Sequence, residues 1–204
     1  MCTRPEQRGV SLIELIMFIM IVSVALAGIL LVMNVTVKSS ADPLVHKQAL
    51  AIAESLLEEV ELMPFTYCDP DDPTAASAVS ATLGAQGCTA QVENMGPEAA
   101  YAYQPAAETR SSLATPFDNV NDYAGFKMNA GTGGIMSITG TAIPALNGYS
   151  ANVAETPLAF SGIAASDANA AAQVLQITVT VTGRDGMPVV LDGIRTRYAP
   201  TAVP

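Results

Sequence analysis

The sequence predicts an α+β protein, with a long N-terminal helix, apolar enough to cross a membrane, packed on a small antiparallel sheet. Three observations predict it. "LIMFIMIVSVALAGILLVM", from Leu15 to Met33, carries no charge. "DPLVHKQALAIAESLLEEVELM" then repeats apolar residues at helical spacing. "VLQITVTVT" alternates strictly, and a turn and a second strand follow it. Helix first and strands late, without alternating helix–strand units, is an α+β order.

The apolar run is long enough for a hydrocarbon core about 30 Å thick at about 1.5 Å per helical residue. Glu14 lies just before it, within the helical pattern. A carboxylate in lipid costs a few kcal/mol unless something compensates it. Three readings compete for this segment. A signal peptide would be cut after "ALA" at 25–27, before Gly28, with Arg4 and Arg8 as its basic region. A charge inside the apolar region and the continuation through "ILLVM" speak against that. A plain anchor would hold Glu14 near the headgroups. A cut after Gly9 would make Val10 a new N-terminus, whose amine could meet the Glu14 of a neighbouring chain. Pairing would then relieve the buried charge and turn its cost into an assembly signal.

Beyond the apolar run, Val45, Ala49, Ile52, Leu56, Val60 and Met63 form a stripe at steps of three and four. The stripe reads as a core face covering a sheet. Asp42-Pro43 marks either a new helix start or a kink. His46, the one histidine, has no metal-type partner nearby and reads as a surface residue. Glu54, Glu58, Glu59 and Glu61 read as a solvated helix face.

Residues 64–146 are rich in Ala, Gly, Pro, Ser and Thr and read as loops, with a short strand at Ile135–Thr139. "YCDPDDPTA" forms turns. Its Asp69, Asp71 and Asp72 are ligand types that calcium accepts, but their spacing is not that of an EF-hand loop, so no metal site is assigned.

The β region closes the description. In "VLQITVTVT", Leu175, Ile177, Val179 and Val181 share one face. "GRDG" supplies the turn and "MPVVLDGIRTRYA" the return strand. Parity slips at Asp192-Gly193, which a glycine bulge would repair. Another strand is expected over Tyr149–Ala154.

The 204 residues allow one anchor and one modest domain. The net charge of −10 argues against nucleic-acid binding, which needs basic patches. Charge does not orient the anchor, because Arg4 and Arg8 are matched by Lys38 and Lys47. There is no second His, no Gly-rich phosphate loop, no CxxC and no GxSxG, so neither an enzyme nor a cofactor is expected.

"QRGVSLIEL" resembles the class III signal of type IV prepilins and type II secretion pseudopilins. The resemblance rests on a short basic leader ending in Gly9, then Val10, Ser11-Leu12-Ile13-Glu14 and an unbroken apolar helix. It departs from the usual pattern at Val10, where most members carry Phe. "DPLVHKQALAIAESLLEEVELMPFTYCDPDDP" and "DGIRTRYAP" are further similar to minor pilins of the mannose-sensitive haemagglutinin (MSHA) type, D group.

The resemblance implies a type IV pilin-like layout. Residues 1–9 would be the leader, 10–37 the transmembrane and filament-core helix, and 38–63 its continuation into the head. Residues 64–146 would be a loop-rich segment with a disulfide, and 147–204 the sheet with its C-terminal hairpin. It implies cleavage between Gly9 and Val10 and N-methylation of Val10 by a prepilin peptidase, with Glu14 acting in assembly. The chain would sit in the bacterial inner membrane, leader cytoplasmic and head periplasmic, before joining other pilin subunits through the assembly platform. Its function would be that of a low-copy subunit initiating or capping an MSHA-type pilus used for surface attachment. The alternatives are a type II secretion pseudopilin and a membrane-anchored ligand-binding head. Cleavage would also remove Cys2, one of three cysteines. Cys68 and Cys88 would remain on the oxidising side and pair.

Overall fold

The computed structural model describes residues 9–166 and 169–203. Most of the expected leader, with Cys2, Arg4 and Arg8, lies outside the described residues. The chain divides into two units, Met1–Leu44 and Val45–Pro204. One helix, α1 (Leu12–Leu62), contributes to both and contains Pro43. No second helix begins at that proline.

In the first unit, Leu12–Thr36, 25 residues, is long and apolar enough to cross a membrane, and its most apolar stretch has a mean hydropathy of 3.0. Such a helix is about 37 Å long, more than the ~30 Å of a hydrocarbon core. Two of its polar side chains suit that medium. Ser23 Oγ donates to the Ile19 carbonyl at 2.6 Å, and Thr36 Oγ1 to the Val32 carbonyl at 2.9 Å. Hydroxyls tied to their own helix present no free donor to lipid.

In the second unit, Ala49, Ala53, Leu56 and Val60 are buried on one face of α1, with Val45, Ile52, Leu57 and Met63 packed around them. Steps of four and three keep this stripe in line. It covers a four-stranded antiparallel sheet in the order β1 (Lys127–Met128), β2 (Ser150–Pro157), β3 (Val174–Thr182), β4 (Pro188–Thr196). Leu175, Ile177, Val179 and Val181 of β3 are fully buried. The opposite face is polar, and there Asp192 accepts from Thr178 Oγ1 at 2.6 Å and from Gln176 Nε2 at 3.2 Å. The β3–β4 turn closes with Gly186 N–H on the Gly183 carbonyl, and Gly186 takes φ 76°, a conformation that glycine adopts without strain.

Three expectations need correction. No bulge occurs at Asp192-Gly193, because β3 and β4 pair residue for residue from Val174↔Thr196 to Thr182↔Pro188. The parity slip is real, and Val190 and Ile194 point outward, about half exposed. Gly193 takes the inner position. A Cβ there would meet Glu61 Oε1 and come within 2.9 Å of Leu57 Cδ1, so its missing side chain lets α1 lie close to β4. Second, Ile135–Thr139 is not a strand; Met136 forms only an isolated bridge with Ala142, and the short strand is Lys127–Met128. Third, Glu59 is not a solvated acid, as shown below; Glu54, Glu58 and Glu61 are exposed, as is His46.

The segment before β1 has little regular structure but is well packed. Phe117, Tyr123 and Phe126 meet edge to face at 5.0–5.9 Å. Tyr123 lies in a short 3-10 turn, Val120–Tyr123, capped by Asn119.

Candidate functional sites

At the N-terminal site, Gly9 and Val10 precede the helix in irregular backbone, and Val10 is 71% exposed. Among the described residues nothing lies within 4 Å of where a Gly9 Cβ would be. The Gly9–Val10 peptide bond therefore lies in non-helical chain just before the helix. The first helical bond runs from Leu15 N–H to the Ser11 carbonyl, 3.1 Å, which makes Ser11 the N-cap position and Glu14 the third helical residue. A carboxylate in a first turn gains about 0.3–1 kcal/mol from the helix dipole, less than the few kcal/mol that lipid burial costs it. The dipole alone does not account for Glu14 in a membrane.

In the head, Cys68 and Cys88 form a disulfide, Cα–Cα 5.4 Å, as expected. Beside it the three aspartates of "DPDD" have separate fates. Asp72 closes the same loop a second time. Its Oδ1 accepts from Thr74 N–H and Oγ1, and its Oδ2 from Ala90 N–H at 2.6 Å and Gln91 N–H at 3.0 Å. Burial alone would raise its pKa, but these donors outweigh burial and hold it far below the usual carboxylate range. Asp72 is therefore saturated by the protein. Asp69 and Asp71 instead come together with Asp118.

That grouping is one edge of a larger cluster that the sequence did not reveal. Carboxylate oxygens of Glu93, Glu98 and Asp122 lie within 4.8 Å of one another. So do those of Asp69, Glu98 and Glu108, and those of Glu108, Asp118 and Asp122. Asp69, Glu93, Glu98, Glu108 and Asp122 are buried. Local backbone geometry aims them inward. Asp122 Oδ2 accepts from the N–H groups of Asp118 and Asn119 at the start of the 3-10 turn. Glu98 Oε1 accepts from Asn94 N–H, and Glu108 Oε2 from Glu98 N–H. Asn119 ties the turn to the disulfide loop, donating through Nδ2 to Thr66 Oγ1, which donates to the Cys68 carbonyl.

Burial, followed by mutual repulsion, raises these acids. Glu98, Asp118 and Asp122 are pushed up to about 8, and Glu108 to about 9. Glu93 is raised well above the ordinary range, and Asp69 is raised as well. Arg197, whose charge interacts with Glu93, lies against the faces of Phe65 and Tyr67, its Cζ 4.1 and 4.4 Å from their centroids. It donates to the Ala170 carbonyl rather than to an acid. Burial lowers its pKa to about 10.

A third feature is a groove of about 530 Å³ between α1 and the 135–146 loop. Ile52, Leu56, Met128, Ile135 and Ile143 line it, with Glu59 and Arg110 at its polar end. No protein-family model, curated protein or solved structure matches the chain.

Proposed function

We propose that the chain is a minor type IV pilin, of the MSHA type, that helps initiate or cap a filament used for surface attachment. The observation that carries this reading is the conjunction at the helix start. An exposed Gly9–Val10 bond lies immediately before the helix, Glu14 sits in the first turn, and an apolar stretch from Leu12 to Thr36 follows. Cleavage there frees a cationic amine one turn from Glu14, and in a staggered bundle the amine of one subunit can neutralise the glutamate of the next. The N-terminal apolar helix, four-stranded antiparallel sheet and disulfide are the layout such a subunit needs.

The test is intact-mass analysis of the chain from membranes and from sheared surface filaments. The mature chain begins at Val10 with an N-methyl group. Glu14→Leu inserts and is cut normally but is missing from the filaments. A start at Met1 or Gly28, or normal incorporation of Glu14→Leu, refutes the reading. Recovery of the cut chain only with a secretion apparatus would assign it as a pseudopilin. The apolar groove favours a second reading, a membrane-anchored ligand-binding head. A thermal-shift screen of small apolar ligands distinguishes it.

A further inference from the structure

The buried carboxylates of the head make no sense as isolated ions. Asp122 and Asp69 are fully buried, and Glu93 is 1% exposed. Yet Glu93 Oε1, Glu98 Oε2, Asp122 Oδ1 and Asp118 Oδ1 accept no hydrogen bond, while Asp69 faces the buried Tyr101 hydroxyl. Buried acceptors without donors are costly, and more so when charged. No side-chain cation among the described residues forms an ion pair with them, although the charge of Glu93 reaches Arg197. Among the described residues the only ion pair is Arg110 with Glu59, outside the cluster.

The donor set indicates the class of ligand it suits. All the facing groups are oxygens. Cys68 and Cys88 are spent on each other, and His46 is exposed on the helix. Oxygen-only sets with several carboxylates suit hard divalent cations and not zinc or copper. Gln104 Oε1 and Asn121 Oδ1 are also fully buried and without donors, and their amide nitrogens donate to the carbonyls of Glu98 and Glu93, which places both side chains beside the cluster. Calcium takes about 6–8 oxygens in flexible geometry, whereas magnesium demands a small octahedron and keeps its water. A wide set of overlapping carboxylate triads fits calcium.

We propose that this cluster is a calcium-binding site, with Glu93, Glu98 and Asp122 as its buried centre and Asp69, Asp71 and Asp118 as a second position joined to it by Glu108. The triads are disjoint, and Glu108 has an oxygen within 4.8 Å of members of each. Two divalent ions offset most of the charge gathered there. Proton sharing is the rival account. It fits the Glu108–Asp122 neighbours but leaves the unmatched oxygen of Glu93 as it is. The proposal stands whether or not the chain is a pilin.

The experiment uses the full chain in detergent micelles, stripped with EDTA and then freed of chelator. Calcium chloride is titrated by calorimetry and thermal melting, with magnesium chloride as the comparison. Calcium at a hundredfold excess over its Kd should raise Tm by about 5 °C or more. Magnesium at the same concentration should give less than half of that shift. Glu93→Gln keeps the shape and removes a charge, so it should fold and lose the calcium response. Asp71→Asn, at an exposed position, should keep the fold and weaken only the second binding step, by about tenfold. Absence of heat and of a Tm shift in the unaltered chain overturns the proposal. So does an equal response to magnesium, or an undiminished calcium response in folded Glu93→Gln. If Glu93→Gln does not fold, the titration of the unaltered chain decides alone.

Discussion

Arg110 grips Glu59 with two hydrogen bonds, 2.6 and 2.7 Å, across 51 residues of sequence. The same guanidinium donates to the carbonyls of Met136 and Ser137, and Tyr123 Oη donates to Glu59 Oε1 at 2.6 Å. One half-buried acid on α1 thereby fixes two separate loops. Arg110→Ala should cost roughly 3 kcal/mol, because it strands Glu59 and frees two carbonyls. Arg110→Lys should recover only part of that, since a lysine cannot make the two-pronged contact. Denaturant melts and limited proteolysis of residues 127–146 measure both.

Gly193 tests how closely α1 approaches β4. Gly193→Ala meets only the mobile end of Glu61 and one methyl of Leu57, so it should change stability by less than about 1 kcal/mol. Gly193→Val adds branched volume where α1 cannot withdraw, and should destabilise by roughly 2 kcal/mol. Equal effects in thermal melts would mean that the helix is free to shift outward.

The disulfide loop is closed by both a covalent bond and Asp72. Replacing Cys68 and Cys88 by serine should cost about 3 kcal/mol for a loop of this size. Adding Asp72→Ala should make the 69–91 segment the first site of proteolysis, because the amides of Ala90 and Gln91 lose their acceptor. Thiol labelling of denatured, unreduced protein that starts at Val10 should find no free cysteine.

Glu155 gives the clearest pH dependence. It lies on the inner face of β2, 8% exposed, with neither oxygen bonded. Burial, then the charge of Asp122, pushes its pKa from 4.5 up to about 9. A raised carboxyl contributes stability that is fully present below pH 4.5 and lost as pH rises through about 9. Glu155→Gln should therefore stabilise the chelator-treated protein at pH 8 by on the order of 3 kcal/mol, and the gain should shrink toward nothing near pH 4. Melting curves of both proteins across that range check the sign.

The elements with strong period were legible in the sequence. β3 alternates without exception, and the stripe on α1 keeps its spacing, so both their existence and their buried faces followed. What escaped depends on contacts distant in sequence. Glu59 looked solvated because its partner Arg110 lies 51 residues away in a loop. The carboxylate cluster draws on acids scattered from Asp69 to Asp122 with no regular interval; Asp69 and Asp71 stood out as calcium-type ligands, but Glu93, Glu98, Glu108, Asp118 and Asp122 looked like ordinary acids in a polar stretch. Arg197 carried no signal of its stacking between Phe65 and Tyr67. At Gly193 the parity slip was visible, but a bulge and a tight helix approach leave the same trace in a single sequence.

The place of β4 in the chain sets an order of events during synthesis. Arg195 Nη2 donates to the Met63 carbonyl 132 residues earlier, and Gly193 lies against Leu57 and Glu61. The helix face is thus made early and covered late. Until β4 emerges from the ribosome, part of the stripe on α1 has no native cover, and long-range closures of this kind slow folding. A nascent chain arrested before Pro188 should be far more protease-sensitive than one arrested past Arg197 by the length of the ribosomal tunnel. The head is a lock that its last strand turns.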